Sequence, residues 1–199
     1  MTTVLVSVVM SLFIVSCGDK KDQLLDITVD SEKIPSMITE DVSTLISDSG
    51  ITRYKLVADL WEVYDKAKEP YWYFPKGFYL ERFNEDYFIE ATVLSDTAWY
   101  FTIKKLWKLR GHVDVKNIVG DEFKSDELFW DQNAKKVYSD KFVEITKANG
   151  AYVEGYNFTS NQEMTAYSIQ DPRNSLYPLK DEDINVEPAD TVQTKPDNP

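Results

Sequence analysis

The sequence predicts an all-β fold, an antiparallel sandwich of many short strands, on three observations. Apolar residues recur with period 2 through the middle of the chain, the period-3.6 stripe of an amphipathic helix is missing, and turn signals interrupt the alternation at short intervals. Strands joined by connections that short run antiparallel.

Asp48-Ser49-Gly50 separates the first two strands. In the second of them Tyr54, Leu56, Ala58 and Leu60 share one face, while Arg53, Lys55 and Asp59 share the other. Lys66 to Asn84 is the least regular stretch, with Pro70, Pro75 and Gly77 among Tyr71, Trp72, Tyr73, Phe74 and Phe78. Because proline offers no N–H to a central strand, this stretch is expected at a sheet edge or in a crossing loop. Trp107, Leu109, Val113 and Val115 then alternate with Lys108, Arg110, His112, Asp114 and Lys116. Between Phe123 and Trp130 the apolar parity slips once, from odd (Phe123, Ser125) to even (Leu128, Trp130). One extra residue near Asp126-Glu127, a β-bulge, returns all four to one face. Asp131 to Lys136 reads as a hairpin loop, and Asn149-Gly150 is the strongest short turn signal in the chain.

Composition bounds what such a sheet can do. Of 199 residues 43% are hydrophobic and 14% aromatic, enough for a substantial core. A formal charge of −12 argues against nucleic acid, whose phosphates need a basic face. Reactive groups do not converge. The single histidine, His112, falls on the polar face of a charged strand, no Cys/His cluster has metal spacing, and no glycine-rich phosphate loop precedes a helix. The many Asp and Glu residues are what any acidic antiparallel sheet displays. A non-enzyme with no cofactor and no metal is expected. Asn157-Phe158-Thr159 and Asp96-Thr97-Ala98 match short glycosylation triplets by composition alone.

The ends differ from the middle. Val4 to Val15 is an almost unbroken apolar stretch, shorter than the roughly 20 residues a membrane-spanning helix needs but of signal-peptide length. It runs into Ile14-Val15-Ser16-Cys17-Gly18, which resembles a bacterial lipobox, although Met1-Thr2-Thr3 lacks the usual basic residue. The expected organisation is a lipoprotein signal peptide over residues 1–16, a lipidated Cys17 opening a flexible tether over 17–34, a folded domain over 35–179, and a disordered acidic tail over 180–199. The other reading of Cys17 is a buried residue of a short core helix.

Three stretches, "LWKLRGHVDVKN", "FKSDELFWDQNAKKVYSDKFVEITKANG" and "YVEGYNFTSNQEMTAYSI", occur in an order that resembles the LptC family, the periplasmic component of lipopolysaccharide export, and related OstA-like domains. The resemblance covers about Met37 to Ile169 and implies a twisted, open β-jellyroll whose inner faces form an apolar groove for lipid A. On that footing Tyr54, Leu56, Leu60, Val113, Val115, Phe123, Leu128, Trp130, Val143, Ile145, Phe158 and Ile169 are groove-lining candidates. Alternation alone assigns each of them equally to core packing and to lipid contact. The family's partners imply a first edge strand at Val42, Leu45 and Ile46 that docks on the jellyrolls of the transporter subunits LptF and LptG. A second edge at Met164, Tyr167 and Ile169 then docks on an LptA-like periplasmic protein. The implied location is the periplasmic face of the inner membrane, held by the N-terminal lipid anchor, although lipoproteins are sent to either membrane. A competing reading is a structural or adhesive surface lipoprotein that binds protein or glycan on its outside. It predicts a closed, filled core and exposed aromatic patches around Tyr71 to Phe78.

Overall fold

A computed structural model describes residues 30–178. The expected signal peptide, Cys17, most of the tether and the acidic tail lie outside the described residues. Within them the chain forms strands β1 (Met37–Asp48), β2 (Ile51–Tyr64), β3 (Tyr71–Lys76), β4 (Phe78–Phe83), β5 (Ile89–Ser95), β6 (Thr97–Phe101), β7 (Leu106–Asn117), β8 (Glu122–Asp131), β9 (Lys136–Ser139), β10 (Val143–Thr146), β11 (Tyr152–Asn161) and β12 (Tyr167–Leu176). All belong to one 12-stranded sheet, in which β1 pairs only with β2 and β12 only with β11. The all-β, jellyroll-type architecture is therefore present, and its two edges are β1 and β12.

The turns follow the local chemistry. Ser49 (φ 53°) and Gly50 (φ 82°) adopt the left-handed conformation that tightens the β1–β2 hairpin, and Gly150 (φ 83°) does the same between β10 and β11. Asp131 Oδ1 accepts the amide of Ala134 at 2.8 Å, closing the β8–β9 loop.

A crease divides the sheet. The long strand β2 pairs with β4 through Tyr54–Val57 and with β3 through Leu60–Tyr64. In the same way β7 pairs with both β5 and β6, while β8 and β11 each pair with both β9 and β10. Where the short strands meet, the chain carries Gly77 (φ 66°), Gly111 (φ 79°) and His112 (φ 44°). Gly77 N donates to Asp96 O and Asp96 N to Gly111 O, each at 2.9 Å. A Cβ on Gly111 would lie 2.4 Å from Asp96 Oδ2, so both its backbone angle and its neighbour require glycine. Bulged positions of this kind bend strands and increase twist. The bend folds the sheet over itself, and residues far apart in strand order meet. The rings of Tyr54 (β2) and Trp130 (β8) touch edge to face at 5.9 Å. Arg82 Nη1 (β4) donates to Gln162 O, beyond β11, at 3.1 Å.

Three expectations need correction or refinement. Lys66 to Asn84 is neither an edge nor a crossing loop, because β3 lies between β2 and β6, and β4 between β2 and β5. Pro75 is tolerated there because Phe74 and Pro75 together oppose Trp61, so the missing N–H falls within a bulge. Leu60 is half-buried and outside the core cluster, whereas Trp61 packs against it; the register shift beside Leu60 reverses the alternation. The parity slip in β8 does bring Phe123 and Leu128 into the core together. The extra residue in that ladder, however, is on β7, where Gly111 and His112 oppose Asp126. The amide of Glu127 beside the slip is taken up by Ser125 Oγ at 3.4 Å.

Leu56, Phe74, Val113, Val143 and Phe158 are the largest of the fully buried side chains, each adding about 1.5–3 kcal/mol by leaving water. On the outer face a cross-strand row runs Tyr73, Trp99, Lys108, Phe129, Tyr138. Tyr73 stacks on Trp99 at 4.9 Å and Phe129 on Tyr138 at 5.1 Å. Lys108 Nζ lies 5.9 Å from the Trp99 ring and 5.3 Å from the Phe129 ring. The aromatics of β3 are thus divided: Trp72 and Phe74 pack inward, while Tyr71 and Tyr73 stack on neighbouring strands. These rings spend their faces on one another, which does not favour an external glycan platform.

Two turns are tied by one carboxylate. Asp121 receives Lys147 Nζ at 2.8 Å and Ala148 N at 3.1 Å, joining the β7–β8 turn to the β10–β11 turn. Burial pushes its pKa up, but the bonds from Lys147, Ala148 and Asn117 outweigh this and hold it below the usual carboxylate range. A lowered folded-state pKa means stability that is present above the unfolded pKa and lost as pH falls through the folded one. Asp121→Asn is expected to cost about 1.5–3 kcal/mol at pH 7. The gap from the native chain should close as urea denaturation is repeated at pH well below about 4. A gap independent of pH would contradict the assignment.

Candidate functional site

The space between the two folded-over halves is the candidate site. Its mouth is a concavity of about 370 Å³ walled by Ile46, Tyr54, Trp72, Tyr100, Trp107 and Trp130, with Lys105 and Gln132 among the lining residues. Tyr100 donates to Gln132 Oε1 at 3.2 Å. Burial raises the pKa of both Tyr54 and Tyr100, so their phenols stay neutral, and Ser47, Asp48, Lys105 and Gln132 make the rest of the mouth mixed in polarity.

Behind the mouth lies a chamber of about 50 Å³. Phe78 and Leu80 of β4, Val93 of β5, Leu109 and Val115 of β7 and Leu128 of β8 form its walls, and Arg82 and Met164 also border it. A third space, about 10 Å³, follows between Phe123, Ile145, Phe158, Met164 and Tyr167. Mouth and chamber share Leu80, Trp107 and Trp130, and chamber and third space share Val115, Asn117 and Met164. The three spaces lie in succession, divided by these shared side chains, from Ile46 of edge strand β1 to Tyr167 of edge strand β12.

The lining candidates read from the sequence fall mostly along this run. Tyr54 and Trp130 border the mouth, Val115, Leu128 and Trp130 the chamber, and Val115, Phe123, Ile145 and Phe158 the third space. Leu56 and Val143 are fully buried and border none of the three spaces, and Ile169 packs at the margin of the core. Val113 borders a concavity on the outer side of the crease, with His112 and Asp126. Leu60 is not part of the wall. Of the edge candidates, Val42 is buried, Leu45 is exposed, Ile46 lines the mouth, and Met164 and Tyr167 line the inner spaces. The alternation missed Trp72, Phe78, Leu80 and Tyr100. Phe78, Leu80 and Arg82 do form a period-2 triplet directly after Gly77, a signal hidden by the prolines before it.

The chemistry available in this run is binding. His112 stands outside it with its side chain 90% exposed, 2.7 Å from Asp96 Oδ2, and that hydrogen bond raises its pKa. Inside, mostly apolar walls meet the guanidinium of Arg82, the cross-strand partner of Tyr54 at the mouth, and the carboxylate of Glu163. Apolar lining with a few placed polar groups is the form of a site for an amphiphilic ligand.

A protein-family profile described as lipopolysaccharide-assembly, LptC-related, matches residues 3–165. No curated protein matches the chain. The matched span contains β1 to β11.

Proposed function

This chain belongs to the LptC-related family of lipopolysaccharide-assembly proteins, and from that membership we propose that its interior run carries the acyl chains of lipopolysaccharide from one edge strand to the other. Its role in lipopolysaccharide transport follows from the family. The finer steps are our reading. Lipopolysaccharide enters beside β1 from the LptF and LptG jellyrolls of the inner-membrane transporter and leaves beside β12 to an LptA-like periplasmic protein. The lipid on Cys17 holds the chain to the periplasmic face of the inner membrane.

The observation that carries this reading is the succession of adjacent, largely apolar spaces between the two strands whose outer backbone edges have no partner among the described residues. Such edges take a neighbouring sheet by strand addition. A continued sheet continues the run. The energetics agree: each methylene kept out of water is worth about 0.8 kcal/mol, so a lipid with several chains does not cross an aqueous gap unaided. The third space, about 10 Å³, has room for about one water and none for an acyl chain. Loading therefore requires the halves to part, and acyl chains then replace the contacts that were lost. No bond is made or broken, and the protein acts as a carrier.

A photo-crosslinking side chain placed in living cells tests this directly. At Phe123 or Leu128, both 2% exposed and both lining the run, it is expected to capture lipopolysaccharide. At Lys116, whose side chain is 57% exposed, it is not. Equal labelling at inner and outer positions would refute the groove.

A further inference from the structure

We propose that the turn between β11 and β12 is a stopper in the groove, with Met164 standing where the end of an acyl chain goes and Arg82 holding the turn shut until an anionic group of the cargo displaces the Gln162 carbonyl. The inference rests on the reading that the interior takes acyl chains.

The turn is built to move as a unit. Asn161 Oδ1 accepts the amides of Thr165 at 3.0 Å and Ala166 at 3.1 Å, and Asn161 Nδ2 donates to Thr165 Oγ1 at 2.9 Å. Ser160 Oγ donates to Ala166 O at 2.9 Å, and Met164 N to Asn161 O at 3.0 Å. Its polar ties across the groove are fewer. They are Arg82 Nη1 to Gln162 O at 3.1 Å and Asn117 Nδ2 to Met164 O at 3.5 Å. Both end on backbone carbonyls, which other oxygen acceptors can replace.

Met164 enters from this turn with a left-handed backbone (φ 55°), a conformation uncommon outside glycine. It borders both the chamber and the third space and so stands between them. An unbranched thioether with three rotatable bonds fills irregular apolar space much as a short hydrocarbon does. Withdrawing it joins the two spaces.

Arg82 makes the release selective. Its side chain is only 15% exposed, and its Nε lies 3.2 Å from Glu90 Oε2 at an angle that makes an ion pair without a hydrogen bond. Glu163 of the turn borders the same chamber. A phosphate offers the guanidinium two parallel bonds to a full negative charge, whereas the Gln162 carbonyl accepts one bond and carries no charge. A phosphorylated glycolipid thus has a competitive advantage over Gln162 that an uncharged lipid lacks.

The test measures binding of bisphosphorylated lipid A and of the same lipid after dephosphorylation to the full chain, by displacement of a neutral fluorescent acyl probe. The native chain is expected to favour the phosphorylated form about tenfold. Arg82→Gln is expected to bind the two forms alike, Arg82→Lys to fall between, and Met164→Ala to take up both several-fold faster. Thermal melting of each variant verifies the fold. A phosphate preference that survives Arg82→Gln, or uptake unchanged in Met164→Ala, overturns the stopper. Binding of both lipids by the native chain without preference overturns it too, yet leaves the groove standing. Binding of neither removes both.

Discussion

Gly155→Ala is expected to destabilise the domain by about 3 kcal/mol and to loosen β12 from β11. Gly155 has an ordinary backbone angle, so the reason is space. A Cβ there would lie 2.3 Å from Asp171 O, 2.7 Å from Ile169 Cγ2 and 2.8 Å from Pro172 Cα. Two of these atoms are backbone and have nowhere to go, because the β11–β12 register already shifts between Glu154 and Gly155. Relief requires the edge strand to withdraw. Gly150→Ala is the fitting control: it has open space around the added methyl, and its φ of 83° costs only about 1–2 kcal/mol. Urea denaturation compares the two, and hydrogen exchange of the Ser168 and Ile169 amides locates the damage. An unchanged denaturation midpoint in Gly155→Ala would show that β12 yields freely. In cells, a displaced β12 removes the edge from which we propose lipopolysaccharide leaves.

The same glycine shows how far the sequence could be read. It sits in a stretch whose alternation was plain, yet nothing in the local pattern says that another backbone passes within van der Waals distance. What the pattern reports is the face a side chain takes. Trp107, Leu109, Val113 and Val115 were placed correctly on that basis, as were the turns at Gly50 and Gly150. It failed where a bulge changes parity without a marker. Extrapolation from Leu56 and Ala58 puts Leu60 inward, but the shift beside it sends Trp61 inward instead. The rule that keeps Pro75 out of an interior strand concerns an unbroken ladder, and here the ladder is broken at that residue. The groove was beyond alternation altogether. A wall exists only because Tyr54 meets Trp130 and Arg82 meets Gln162 across the fold. The family resemblance supplied the expectation of a groove, and the crease is its physical cause.

Trp107→Ala sets stability against the proposed transport most sharply. Trp107 is 5% exposed and packs its ring against Tyr100 at 4.7 Å, Phe78 at 5.2 Å and Phe74 at 6.1 Å. Truncation is expected to cost about 3–5 kcal/mol. That lowers the melting temperature by on the order of 10 °C for a chain of this length. The indole also borders both the mouth, about 370 Å³, and the chamber, about 50 Å³. Removing it merges the two. The folded fraction of the variant is therefore expected to bind more of a neutral acyl probe per molecule than the native chain does. Trp107→Phe keeps a ring in the wall and should lie between on both measurements. Less probe bound per folded Trp107→Ala molecule would mean that the mouth is a surface hollow unconnected to the interior. A side chain that both stabilises the closed state and narrows the path ties the two properties together: tightening the core here raises the melting temperature and slows loading.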